Sequence, residues 1–312
     1  MPKILVTGSN GFVGRALCET LLKKEIDVIA TVRTKSRNNE FPIGNLSVST
    51  NWLPALAGCS AVLHLAARVH VMNDKNAEPL TAFRAVNVDA TMNLARQAVM
   101  ADVKRFVFVS SVKVNGEETT EKPFTAFDAP APLDPYGQSK LEAEIALMEL
   151  SRITGLEVVI IRPPLVYGPT VRANFLKLMR LVKMGVPLPL GAIHNRRSMV
   201  ALDNLVDLLI TCTHHPAAAG QTFMVSDDND VSISELLQLL ADTMRKRSLL
   251  LPVPARIIAV AAALLGKSAV ASRLLGSLQV DINHTKSTLG WQPVVTLQES
   301  LDKTIAYFLA HH

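Results

Sequence analysis

Thr7-Gly8-Ser9-Asn10-Gly11-Phe12-Val13-Gly14 follows a short apolar run at residues 4–7 and opens an amphipathic stretch at 15–24. Three glycines at this spacing on a strand-to-helix junction have separate physical tasks. Gly8 permits the tight turn, Gly11 lets backbone approach a pyrophosphate, and Gly14 lets helix and strand lie close together. The helix then presents unpaired first-turn N–H groups to an anion. The pattern is Gly-x-x-Gly-x-x-Gly, not the Gly-x-Gly-x-x-Gly of the ordinary dinucleotide fingerprint.

Outward from this turn, further β-branched runs stand at 28–32, 61–65, 106–110 and 158–162, separated by helical patterns at 15–24, 81–101 and 139–154. Runs that are apolar at nearly every position belong to strands buried on both faces, hence to a parallel sheet covered by helices. The fold class is α/β: a Rossmann-like doubly wound parallel sheet, with residues 1–165 as the dinucleotide-binding domain. After Arg162 prolines punctuate the chain and segments shorten, with helices expected at 174–184, 203–213, 234–244, 255–265 and 297–310 and a strand at 222–225. Residues 166–312 read as a smaller C-terminal substrate-binding lobe, interleaved with the first and returning some strands to the main sheet.

The 312 residues are 49% hydrophobic and 19% charged, which excludes a disordered chain. A net charge of +5 suits an anionic partner but reads as too small and too scattered for nucleic acid; Arg245-Lys246-Arg247 is the longest basic cluster. Three cysteines without metal-ligand spacing argue against a disulfide framework or a metal site and fit a reducing cytoplasm. The N-terminus reaches glycine too early for a secretory signal. Mean hydropathy is high, at +0.25. The longest apolar run, residues 257–265, is far short of the roughly 20 needed to span a bilayer. Residues 249–265 read first as a core helix of the substrate lobe and second as a peripheral membrane contact, with Arg256, Lys267 and Arg273 nearby.

Of three tyrosines, only Tyr136 has a lysine four residues on, Lys140, where a proline-rich loop turns into a helix. Positions i and i+4 share a helix face, so ammonium and phenol can be neighbours. A nearby cation is expected to lower the phenol from its usual value near 10 and make it an acid–base group. Together, the glycine loop and this pair resemble the extended short-chain dehydrogenase/reductases, the NAD-dependent epimerase/dehydratase branch. The resemblance implies a catalytic hydroxyl at Ser111, with Ser110 as the fallback, in Phe106-Val107-Phe108-Val109-Ser110-Ser111. It also implies cofactor contacts from Gly8, Asn10, Gly11, Phe12, Val13, Gly14, Leu65, Ala66, Ala67, Asn87, Val109, Tyr136, Lys140 and Pro163. Asn174 and Arg197 match positions that contact the phosphates of a sugar nucleotide, a UDP-sugar; a homodimer is implied as well.

Departures from the branch's pattern narrow the chemistry. The second strand ends Val32-Arg33-Thr34-Lys35-Ser36-Arg37, with cations where an acidic residue usually binds the ribose; Arg33 suits a 2′-phosphate, so NADP(H) is favoured, with NAD(H) the alternative. Where the 4,6-dehydratases carry the acid–base pair of Thr-Asp-Glu, this chain has Ser110-Ser111-Val112-Lys113 with no carboxylate, which disfavours loss of water. Simple hydride chemistry at a sugar C4 remains. The leading expectation is reduction of an N-acetylated UDP-4-keto-6-deoxy-hexose for surface-polysaccharide synthesis. The alternatives are C4 epimerisation of a UDP-hexose or lipid-linked sugar with retained NAD, and a non-catalytic dinucleotide sensor.

Overall fold

A computed structural model describes residues 3–34, 40–69 and 78–312. Among these residues lie strands β1 (Lys3–Thr7), β2 (Asp27–Val32), β3 (Glu40–Pro42), β4 (Ala61–His64), β5 (Arg105–Val109), β6 (Glu157–Arg162), β7 (Leu165–Tyr167), β8 (Met199–Ala201) and β9 (Thr222–Met224). Seven of them form one parallel sheet in the order β3-β2-β1-β4-β5-β6-β9, while β7 and β8 pair parallel beside it.

Alternation within each strand explains why both faces are buried. Ile4, Val6, Ala61, Leu63, Val107, Val159 and Ile161 join one core with Leu17 and Leu21 of the helix Phe12–Lys23 and Leu205 and Leu209 of the helix Leu202–His214. Their neighbours Leu5, Val62, Phe106, Phe108, Val158 and Ile160 join the opposite core, with Ala95 of the helix Ala90–Met100 and Leu147 of the helix Pro135–Thr154. Two helical layers therefore sandwich a sheet whose strands have no polar face. The strand order reverses direction between β1 and β4, and the crevice at their carboxyl ends is where α/β sheets take ligands. A third core, with Tyr167, Phe175, Leu237, Leu240, Leu301 and Phe308 at its centre, belongs to the C-terminal half.

The expected elements form with boundaries within a few residues, with one internal exception. The single helix expected at 81–101 is divided: Pro79–Arg84, a π-helical stretch Ala85–Asp89, then Ala90–Met100. A core position for residues 255–265 is overturned, since no residue of the helix Ala255–Leu264 is buried. No helix among the described residues is long and apolar enough to cross a membrane.

Candidate active site

Gly8 adopts φ +67°, and a Cβ there would lie 2.9 Å from the Ala66 nitrogen, so the turn presses directly on the end of β4. A Cβ on Gly14 would fall 2.1 Å from the Gly8 carbonyl oxygen, which leaves no room for any side chain. The helix that follows has no side-chain cap and no acidic residue in its first turn. By contrast, Asp134, Ser232 and Thr296 cap the helices they precede. An uncapped, close-packed helix start fits a dinucleotide's phosphates. Asn10 and Gly11 are exposed, and Phe12 and Val13 are half-buried against the core.

Thr7 fastens this turn to β4. Its Oγ1 accepts the N–H groups of Leu65 and Ala66 at 3.1 Å each, so its proton points to His64 Nδ1 at 2.7 Å. Nε2 of His64 then carries the ring hydrogen and donates to Thr91 Oγ1 at 2.9 Å. Burial, and secondarily the charge of Lys140, pulls His64 down to about 3, so the ring stays neutral. Leu65, Ala66 and Ala67 are thus held, half-buried, beside the glycine turn.

Asn87 sits within the π-helical stretch and is buried. Its Oδ1 accepts the Arg68 N–H at 2.8 Å, and its amide group donates to the Arg68 carbonyl and to Ser139 Oγ. Ser139 in turn donates to the Tyr136 carbonyl at 2.8 Å. One side chain therefore joins the loop after β4 to the helix carrying Tyr136 and Lys140.

That helix begins at Pro135, with Asp134 accepting the Gly137 N–H at 2.6 Å. Asp134 also pairs with Lys113, just past the serine pair. On the other side Lys140 Nζ donates to the Val109 carbonyl at 2.7 Å and lies 4.3 Å from the centre of the Phe108 ring. Ser111 is half-buried, and its Oγ accepts the Lys113 N–H at 3.3 Å. Ser110 Oγ is buried without a partner among the described residues, and the buried Pro163 anchors the pair by accepting the Val112 N–H. Strand end and helix start are thus locked together at both flanks, bringing Val109, Ser111, Tyr136 and Lys140 into one region.

Electrostatics here departs from the expectation of a phenol lowered by Lys140. Burial pushes the Tyr136 phenol up to about 12, with the Asp134 carboxylate acting in the same direction. Burial also pulls Lys140 down to about 7, opposed by Glu144. The ammonium is directed to a carbonyl and a ring face, so desolvation outweighs its pull on the phenol. Tyr136 rests edge-on against Phe83, ring centres 6.1 Å apart.

Three further buried polar groups tie together the elements around the site. Asn115 is buried, accepting from Arg162 Nη1 and donating to the Thr125 carbonyl. Arg162 and Glu144 form a buried ion pair at 2.5 Å, and the Glu144 charge acts on Lys140. Tyr167, at the entry to the C-terminal half, donates to Asp227, which also accepts from Ala201 and Asn204. Asp134-Pro135, an N-cap followed by a first-turn proline, starts the helix that carries Tyr136 and Lys140.

The substrate candidates lie on the C-terminal half of the chain. Asn174 is exposed on the first turn of the helix Ala173–Met184. Arg197 is half-buried, its Nη1 shared between the Arg273 and Gly276 carbonyls at 2.9 Å each. Arg33 is exposed beyond β2, while Lys35 and Arg37 lie outside the described residues.

A parallel sheet with this glycine turn at its switch point and a Tyr–Lys helix beside a strand-end serine defines a dehydrogenase fold of the extended short-chain type. The chain belongs to the NAD dependent epimerase/dehydratase family, whose sequence profile matches residues 4–226. It is 51% identical to a UDP-glucose 4-epimerase of Vibrio cholerae, covering 99% of this chain and 96% of that one. It is 28% identical to the N-acetyl-alpha-D-glucosaminyl-diphospho-ditrans,octacis-undecaprenol 4-epimerase of Escherichia coli O157:H7, over 99% and 96% of the two chains. The fold matches a UDP-glucuronic acid 4-epimerase from Bacillus cereus in complex with NAD, with a TM-score of 0.80, 20% identity and 99% of each chain covered.

Proposed function

We propose that the chain is a C4 epimerase of a UDP-hexose that keeps its NAD bound through the catalytic cycle. The carrying observation is the 51% identity, over nearly the whole of both chains, to the Vibrio cholerae protein. This reverses the order of the two readings drawn from the motifs, in which reduction of a 4-keto sugar came first. The dinucleotide is assigned to residues 1–165 and the sugar nucleotide to residues 166–312.

When bound, NAD supplies a hydride acceptor that can also return the hydride. Tyr136 is assigned the proton: its phenolate takes the C4 hydroxyl proton and later gives it back. Ser111 Oγ orients the same oxygen by hydrogen bonding. Lys140, whose Nζ donates to the Val109 carbonyl, is assigned to stabilise the phenolate. A phenol near 12 is a poor base at neutral pH, so it needs cationic neighbours before it acts. Arg197 and Asn174 are assigned to the diphosphate, for which a guanidinium is the better partner.

The test is interconversion of UDP-glucose and UDP-galactose by purified protein with no added nucleotide, with the nucleotide released on denaturation identified by mass. Turnover with one NAD released per chain supports the reading. Stoichiometric NADPH consumption with a 4-keto sugar, and no interconversion, would sink it. Release of NADP instead would restore the role first read into Arg33.

A further inference from the structure

The helix Ala255–Leu264 is inside out. Ile257, Val260 and Leu264, at i, i+3 and i+7, are 59%, 62% and 84% exposed, and Leu265 beyond them is 71% exposed. What faces the protein is Ala255 and Ile258, packed on the C-terminal core. Val270 on the next helix, Ser268–Leu275, and Leu249 and Leu251 on the approach extend the exposed apolar surface. Contiguous exposed aliphatic side chains of this kind mark an interaction surface.

Charge identifies the partner. From residue 245 to 280 the chain carries Arg245, Lys246, Arg247, Arg256, Lys267 and Arg273 and no Asp or Glu. Six cations there exceed the chain's total of +5, so everything outside the segment nets −1. The positive excess is thus concentrated in this one segment, contrary to its scattered look over the whole chain. All six residues are exposed, and none forms an ion pair among the described residues.

Both stems of the projection are fixed. Leu188 donates to the Leu249 carbonyl and accepts the Leu251 N–H, and Gly191 donates to the Leu251 carbonyl. On the return, Asn195 donates to the Leu274 and Gly276 carbonyls, and Arg197 to those of Arg273 and Gly276. With both stems tied down and Ala255 and Ile258 packed on the core, the helix presents its remaining apolar side chains outward.

We propose that this helical hairpin is a docking surface for an anionic phospholipid bilayer. The aliphatic face of the helix Ala255–Leu264 enters the headgroup boundary, and the six cations lie against acidic headgroups. A second copy of the chain is the poorer occupant, because a twofold contact would set six cations against six. Nucleic acid would use the cations but leave Ile257, Val260, Leu264 and Leu265 without a role. The proposal does not depend on the reaction assigned above.

The experiment is flotation of the full chain with vesicles of phosphatidylglycerol and phosphatidylcholine, and with phosphatidylcholine alone. The protein is expected to float with the anionic vesicles. Ile257→Ser with Leu264→Ser, and separately Arg256→Glu with Lys267→Glu, should each lower the bound fraction by about tenfold or more. A Leu264→Trp variant gives a second readout, since Trp52 and Trp291 are buried: its emission should shift to the blue on anionic vesicles only. Wild-type protein left unbound by anionic vesicles, or an unshifted emission from the Leu264→Trp variant, overturns the proposal. So does conversion of a dimer to monomer by the serine variants, which would assign the surface to a second copy.

Discussion

Tyr136 and His64 show how burial governs this site residue by residue. Tyr136→Phe keeps the ring against Phe83 and removes only the hydroxyl. On the proposed reaction, epimerisation should fall about 10²- to 10⁴-fold with nucleotide content and melting temperature unchanged. Wild-type turnover in this variant would remove Tyr136 from the proton path. His64 has a pKa pulled to about 3 by burial first and Lys140 second, against roughly 6.5 in an unfolded chain. The unfolded chain therefore takes up this proton first as pH falls. Its contribution to stability is intact above about pH 6.5 and declines from there toward 3. Between pH 6.5 and 5 the loss from this group is about 2 kcal/mol. His64→Asn should be less stable at neutral pH yet show a flatter acid slope in denaturant midpoints. An unchanged slope would contradict the neutral, fully hydrogen-bonded ring.

Elements were legible where a long pattern matched a simple packing rule. The buried strands β1, β2, β4, β5 and β6 and the glycine turn fall in this class, because two-sided burial writes continuous apolar runs. Of the four three-residue strands, β9 was readable because its apolar run continues to the buried Val225, while β3, β7 and β8 carry too few positions for any period to show. The π-helical stretch was also hidden: what places Asn87 is one extra residue in a turn, not a composition. The helix Ala255–Leu264 was recognised as a helix, but an all-round apolar sequence does not say which side meets the protein. Among the candidate site residues, those tied to one local motif were readable, while Asn115, Arg162 and Glu144 meet only through the fold. For the glycine turn the expected outcome is sharp. Gly14→Ala must separate helix and turn by about an ångström, costing about 1–3 kcal/mol, and the purified variant should carry no nucleotide. A Gly14→Ala protein with full nucleotide content and unchanged melting would show that the close approach is dispensable.

At the scale of the whole molecule, the two halves of the chain share cores. Leu205, Leu209, Phe223, Ile282, Leu289 and Trp291 pack in the same cluster as Ile4, Val6 and Leu63. A fragment of residues 1–165 should therefore lack cooperative unfolding and dispersed amide resonances, although it holds the entire glycine turn. A fragment that melts sharply would show the first half to be self-sufficient. The parallel pairing of β9 with β6 has a further consequence for biosynthesis. β6 is complete at Arg162, but its partner ends at Met224. At 5–20 residues per second, a ribosome needs roughly 3–12 s to supply it. Throughout that interval the nascent sheet has an open edge able to pair with a neighbouring chain. Translation speed across residues 163–224 thus sets how long each new molecule is exposed to misassembly, and slowing elongation there should lower the soluble yield.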